Sequence, residues 1–214
     1  MKVALIGASG FVGSALLAEA IARGHQVTAL VQNVEKVAQK SGVTAIKTDV
    51  MNVATLSAQL RDHDAVITAF SGHAQTDIEG YYLRGLNSIL AATRSSGAPR
   101  LLVVGGAGSL EVAPGLQLID TPDFPEQYKK SAEGARQALN LLRDVSNQDL
   151  DWTMLSPAAY LHPGERTAVF RLGTDSLLSD ANGKSQISVQ DYAVAMIDEL
   201  EKPAHSRRRF TLAY

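Results

Sequence analysis

Cysteine is missing from all 214 residues. Its absence removes disulfides, thiolate catalysis, cysteine-ligated zinc and iron–sulfur clusters together, and suits a cytoplasmic setting. No apolar run approaches the ~20 residues that cross a bilayer. The opening, MKVALIGASG, is broken by Gly7 and Gly10, so it reads as a buried strand entering a glycine turn rather than as a leader. A basic excess is lacking too. With 20 Lys and Arg against 22 Asp and Glu, the formal net charge is −2, and neither nucleic acid nor an anionic membrane is expected as a partner. The one basic run, Arg207-Arg208-Arg209, reads as a solvated edge. His25, His63, His73, His162 and His205 show no ligand spacing, so no metal is expected. Ser156 precedes Pro157 without the flanking glycines of a nucleophile elbow, which argues against hydrolase chemistry.

What the chain does have is rhythm. Short apolar runs alternate with longer amphipathic segments: strands are expected at Lys2 to Ile6, Gln26 to Val31, Val43 to Lys47, Ala65 to Phe70, Leu101 to Val104 and Trp152 to Leu155. Helices are expected between them, near Phe11 to Arg23, Val34 to Lys40, Ala54 to Leu60, Asp77 to Ser95 and Pro125 to Val145. Thr76 and Glu79, and again Ser188 and Asp191, have capping-box spacing. The strands are apolar at nearly every position, which is how strands read when helices cover both faces. The expected architecture is α/β: a Rossmann-like, doubly wound parallel sheet of order 3-2-1-4-5-6 with helices on both faces, in a single domain spanning 1–214. After Pro157 the rhythm breaks. Residues from about 157 to 187 read as a lid or substrate segment with at most brief strands, such as Ala168 to Leu172, before a capped helix and a last strand at Phe210 to Ala213.

The most informative motif is Gly7-Ala8-Ser9-Gly10-Phe11-Val12-Gly13, between the first strand and the first helix. Gly7 permits the turn, Gly10 admits a pyrophosphate against the backbone, and Gly13 lets the helix press on the sheet. Phosphates then meet free N–H groups at the positive end of the helix. In this strand–turn–helix context the spacing points to a nicotinamide dinucleotide, NAD or NADP. After the second strand, Gln32 and Asn33 suit a ribose and Lys36 a phosphate, so neither coenzyme is dictated. Asp49-Val50 is placed beside the adenine, with helix capping by Asp49 the competing reading. Ala69-Phe70-Ser71-Gly72 should line the way to the nicotinamide ribose, with Gly105 and Gly106 also at the dinucleotide, and the glycine-rich stretch Gly105 to Gly108 suits a flat ring lying over the nicotinamide.

These stretches, with Asp151-Trp152-Thr153, Ser156-Pro157, Pro163-Gly164-Glu165-Arg166-Thr167 and Ile187-Ser188-Val189-Gln190-Asp191-Tyr192-Ala193, resemble the atypical short-chain dehydrogenase/reductases. The likeness covers essentially the full length and is nearest to the NADH-flavin reductase group, related to biliverdin reductase B and NmrA-like proteins. The resemblance implies NAD(P)H-dependent hydride transfer, with FMN or FAD as a substrate. Two departures stand out. Where the family carries arginine this chain has Gln32, and the Tyr-x-x-x-Lys acid is missing, because Tyr128 is followed four residues on by Ala132.

A carbonyl acceptor needs a positioned acid, whereas a flavin or quinone spreads the arriving charge over a conjugated ring. The expected reaction is therefore hydride transfer to a flat acceptor, governed by proximity and orientation. Ser109 and Tyr128 are the candidate catalytic groups, and Tyr160, Arg166 and His73 the candidate acceptor contacts. Plain packing or solvation competes for each of the tyrosines and for His73, and a nearby acid competes for Arg166. Two further readings remain: an NmrA-like sensor that binds the dinucleotide without turnover, and a sugar-nucleotide epimerase or dehydratase. The only partner expected is the small-molecule acceptor, in a monomer or homodimer.

Overall fold

The computed structural model describes residues 1–214 apart from the side chain of Val145. In chain order its elements are β1 (Lys2–Ile6), α1 (Phe11–Ala22), β2 (Gln26–Val31), β3 (Val43–Lys47), α2 (Val53–Leu60), β4 (Ala65–Thr68), α3 (Ile78–Ser96) and β5 (Arg100–Val104). There follow β6 (Glu111–Ala113), β7 (Leu116–Gln117), α4 (Glu126–Arg143), β8 (Asp151–Ser156), β9 (Tyr160–His162), β10 (Arg171–Gly173), β11 (Gln186–Ser188), α5 (Val189–Glu201) and β12 (Arg208–Ala213).

Side chains alternate across a strand, and β1 shows what that does here. Val3 and Leu5 enter one core with Leu16, Tyr192, Met196 and Phe210. Ala4 and Ile6 enter the other with Leu56, Leu86, Ile89 and Trp152. Both faces are dry, so every position in the strand must be apolar, and each fully buried Leu or Ile contributes roughly 1.5–3 kcal/mol. Helix α1 packs beside α5 on the first face, while α2, α3 and α4 pack in succession on the second.

The main sheet runs β3-β2-β1-β4-β5-β8-β12-β10. Its first six strands follow the expected order, all parallel. Strand β12 adds a seventh parallel strand on β8, and β10 closes the edge antiparallel to β12. Because the strands are parallel, the loops after β1, β2, β3, β4, β5 and β8 all emerge at one end of the sheet.

Local differences from the sequence reading have local causes. Strand β4 stops at Thr68 because the Phe70 amide donates to Thr68 Oγ1 at 3.2 Å instead of continuing the ladder. The expected helix near 34–40 shrinks to one 3₁₀ turn at Val34–Lys36, capped by the Asn33 side chain. Helix α3 is capped by Asp77, whose carboxylate accepts the Gly80 amide at 3.0 Å, and not by Thr76. At α5 the expected cap holds: Ser188 Oγ accepts the Asp191 amide. Arg209 is not a solvated residue. It is 4% exposed and its guanidinium pairs with Asp175. The β6–β7 hairpin was not read from the sequence at all.

Candidate functional site

Every residue assigned to the dinucleotide from sequence sits at that one end of the sheet, on a loop or on the first turn of the helix that follows it. Gly7 leaves β1 with φ +79, and a Cβ there would lie 2.7 Å from the Ala69 carbonyl oxygen. The Gly7 turn and the 69–72 loop are thus pressed together, an arrangement reinforced by the Ala69 amide donating to Ile6 O at 2.9 Å. A Cβ on Gly13 would drive into the Gly7 carbonyl oxygen, so the first turn of α1 lies directly on the end of β1.

Gly10 differs from both. A Cβ on it would meet only Gly7 O, at 3.4 Å, so the space above it is open. Gly10 is also the N-cap of α1, no side chain caps the helix, and its first turn carries no acid. Helix N-termini leave amides needing acceptors, and a side chain normally fills that role. Here the residue is one that cannot, and Ser9, Gly10 and Phe11 are all exposed. Bare amides, open space and the positive end of the helix dipole fit a pyrophosphate. Of the other residues expected at the phosphates, Val12 is partly exposed and Gly13 is buried beneath it.

Gln32, Asn33 and Lys36 are exposed beyond β2. Asn33 Oδ1 accepts the Glu35 amide, while Asn33 Nδ2 and the side chains of Gln32 and Lys36 make no hydrogen bond to a described residue. Asp49 accepts the Met51 amide at 2.9 Å, the local turn that competed with a ligand role, and Val50 is buried with its carbonyl accepting Ser88 Oγ. Among the residues after β4, Ala69 and Phe70 are half-buried, Ser71 is exposed, and Gly72 is pressed onto Ile78 O. Gly105 and Gly106 are half-buried, and their missing side chains make room for Met154 and for Ala135 of α4. Packing against the protein therefore explains those two glycines as well as ligand approach does.

The candidate catalytic and acceptor residues differ in their surroundings. Ser109 is 3% exposed, and its Oγ accepts Arg209 Nη1 at 3.1 Å. Tyr128 is 55% exposed on the first turn of α4. Tyr160 projects from β9 and stacks on His162, ring centroids 5.0 Å apart. His73 is exposed. Arg166 forms a bidentate pair with Glu19, at 2.7 and 2.8 Å. The acid that holds it is Glu19, not the neighbouring Glu165. Glu19 lies about 12 Å along α1 from Phe11 at 1.5 Å per residue, and the Arg166 guanidinium beside it holds its carboxyl below the usual glutamate range.

Sequence reasoning missed Asp191 and Tyr82. Asp191 is fully buried and accepts from the amides of Thr167 and Ala168, Thr167 Oγ1 and Tyr214 Oη, so it fastens the 163–168 turn to α5. Its capping-box position disguised that task. Tyr82 carries no lysine four residues on, so the spacing of the usual acid does not mark it. Elsewhere, a shallow polar depression of about 340 Å³ lined by Met1, Lys2, Gly24, Gln26, Asp62 and Asp64 lies at the opposite ends of β1 and β2, away from the bare helix terminus.

A parallel sheet whose first helix offers an uncapped N-terminus beside the strand ends defines a dinucleotide-binding Rossmann protein. The chain belongs to the NAD(P)H-binding family, whose model matches residues 7–203. It is 40% identical to YwnB of Bacillus subtilis over 99% of this chain and 98% of that one. Among solved structures, a Bacteroides thetaiotaomicron protein described as a candidate epimerase shares 42% identity with a TM-score of 0.92, covering 100% of this chain and 96% of the other. A Streptococcus pneumoniae protein described as a candidate NADH-flavin reductase shares 36% identity with a TM-score of 0.88, covering 100% and 99%. These relatives fit the atypical short-chain dehydrogenase/reductase assignment.

Proposed function

We propose that the protein is an NAD(P)H-dependent reductase that passes hydride to a flat conjugated acceptor of flavin or quinone type. The observation that carries the cofactor half is the open, uncapped end of α1 at Gly10. Amides of the first turn of α1 would hold the pyrophosphate. Gln32 and Lys36 would meet the adenosine end, and Ala69 to Gly72 with Gly105 and Gly106 would border the nicotinamide. When bound, the reduced dinucleotide supplies one hydride, two electrons with one proton.

The acceptor half is supported by what stands where an acid would be needed. Tyr128 has Ala132 four residues on, and the neighbouring Lys129 pairs with Glu126 at 2.6 Å. Ser109 is enclosed and already engaged by Arg209. An alcohol-forming or epimerising reaction calls for a proton donor or base at the reacting carbon, and a delocalised ring acceptor does not. The likeness to the pneumococcal candidate NADH-flavin reductase supports the same reading, and the lack of a placed acid or base weighs against that of the Bacteroides candidate epimerase. The segment 157–187, with Tyr160 exposed on β9, would cover the acceptor side.

Steady-state oxidation of NADH and of NADPH with FMN, FAD and a simple quinone tests the proposal. Turnover with at least one acceptor is expected. Coenzyme binding without turnover on any of them would leave a sensor in place of an enzyme.

A further inference from the structure

We infer that Tyr82 is the hydrogen-bond donor to the acceptor, its phenol O–H aimed at the ring oxygen or nitrogen of a flat molecule lying over Gly105 and Gly106. The inference rests on the reductase reading and adds a named residue to it.

The ring is clamped. Tyr82 lies in the second turn of α3, stacked on Phe70 of the loop after β4 with centroids 6.2 Å apart and planes 14° apart. Its other side meets α4, where a Cβ on Gly134 would lie 3.3 Å from Tyr82 Cδ1. Two elements thus fix the direction of the phenol, as orientation by the protein requires.

The hydroxyl is crowded yet reachable. The Tyr82 hydroxyl makes no hydrogen bond to a described residue, and it is not among the sealed unpartnered atoms, which are Arg100 Nε, Trp152 Nε1 and Ser156 Oγ. A tyrosine in such surroundings ordinarily finds a partner for its O–H. Phenylalanine would fill the same stack without leaving a donor idle. The atom therefore keeps some contact with solvent and has a donor to spare.

Its neighbours locate the hydroxyl. Tyr192 Oη donates to Leu155 O at 2.7 Å, the carbonyl that also accepts the Gly105 amide at 2.8 Å. The Tyr82 phenol is close enough to push the Tyr192 phenol further up, beyond what burial does. Gly134, which meets Tyr82, is followed by Ala135, which Gly106 packs against, so Tyr82 lies beside the expected ring floor. Burial pushes the Tyr82 phenol itself up to about 12, so it stays protonated and can donate at neutral pH.

The step balances simply. The acceptor gains one hydrogen and two electrons and becomes an anion, and the dinucleotide is oxidised. Tyr82 shares its proton with the charged ring atom and keeps it. The proton that completes reduction comes from solvent. A donor aimed at developing charge in a water-poor site acts as an oxyanion-hole group does, more strongly on the charged product than on the neutral acceptor.

Tyr82→Phe tests this, because it keeps the stack and removes only the oxygen. Melting temperature and the calorimetric affinity for NADH should match wild type, since the hydroxyl has no protein partner to lose. Turnover with FMN should fall by about tenfold or more, and FMN titrated into the NAD⁺-saturated protein should bind more weakly by fluorescence. Unchanged turnover and unchanged FMN affinity overturn the assignment. Should wild type bind FMN but oxidise no NADH, the reductase reading fails, and the binding comparison alone still decides Tyr82. A wild type that binds neither FMN nor a quinone overturns both.

Discussion

The two ends of α1 are built on opposite principles. At Gly10 the helix begins with no capping side chain, no acid and open space. Two turns on, Glu19 is 5% exposed and saturated: Arg166 binds both its oxygens, and Arg23 Nε reaches Oε1 at 2.7 Å before linking on to Asp198 and Glu201 of α5. One end leaves its first-turn amides without a capping side chain, and the other leaves almost no polar group unused. Free backbone donors suit a ligand that comes and goes, whereas a closed ion network fixes one element on another. The difference explains why Arg166, a cation in a turn that resembles an oxidoreductase motif, is a weaker ligand candidate than a glycine.

Gly10→Asp breaks the contrast at the open end. Gly10 has φ −80 and ψ 175, which aspartate adopts freely, and a Cβ fits at 3.4 Å. The new carboxylate would cap α1 and occupy the pyrophosphate position with like charge. Affinity for NADH and NADPH should fall about 100-fold or more, while thermal stability holds or rises by up to ~1 kcal/mol. Calorimetry and a melting curve measure both. Binding that survives the substitution would place the phosphates elsewhere.

Glu19→Gln addresses the closed end. Held below its unfolded value by Arg166 and then Arg23, the Glu19 carboxyl stabilises the fold above the ordinary glutamate range and ceases to do so as pH falls through its folded value. Charge-assisted bonds of this kind contribute about 1–2 kcal/mol once the half-exposed Arg166 is discounted for solvent. The variant should be less stable by that amount at pH 7, and the gap should close as pH falls below the ordinary glutamate range. NADH affinity and FMN turnover should not change. A loss of turnover at full stability would return Arg166 to the acceptor site.

The open end was legible in the sequence, and the closed end was not. Glycine spacing, strand–turn–helix order and a short repeat of apolar runs are local signals, and they gave six strands in the right order together with the Gly7–Gly13 turn. The partners of Arg166 and Arg209 lie 147 and 34 residues away in sequence, and no local pattern announces them. Ser109 shows the same limit: it was the one hydroxyl at its loop, and a guanidinium from β12 has claimed it. Tyr82 was hidden for another reason. A tyrosine–lysine pair has a spacing that marks it, whereas a lone phenol fixed by Phe70 and Gly134 has no sequence signature of its own.

The smallest effect sharpens the comparison within the 157–187 segment. Gly7 and Ala168 both take left-handed backbone, φ +79 and +56. At Gly7 a side chain is excluded by Ala69 O, so glycine is the only solution. Ala168 carries a Cβ into a conformation costing L-residues roughly 1–2 kcal/mol, and it is held there by Asp191, which accepts its amide at 2.7 Å and that of Thr167 at 2.8 Å. Ala168→Gly should release the strain, offset by ~0.4–1 kcal/mol of added freedom in the unfolded chain. The net expectation is a gain of about 0.5 kcal/mol, a rise in Tm of ~1–2 °C for a chain of this size, with NADH affinity unchanged. A lower Tm would mean that unfolded-state entropy outweighs the strain, and that the carboxylate of Asp191 sets this turn at less cost than its φ value implies.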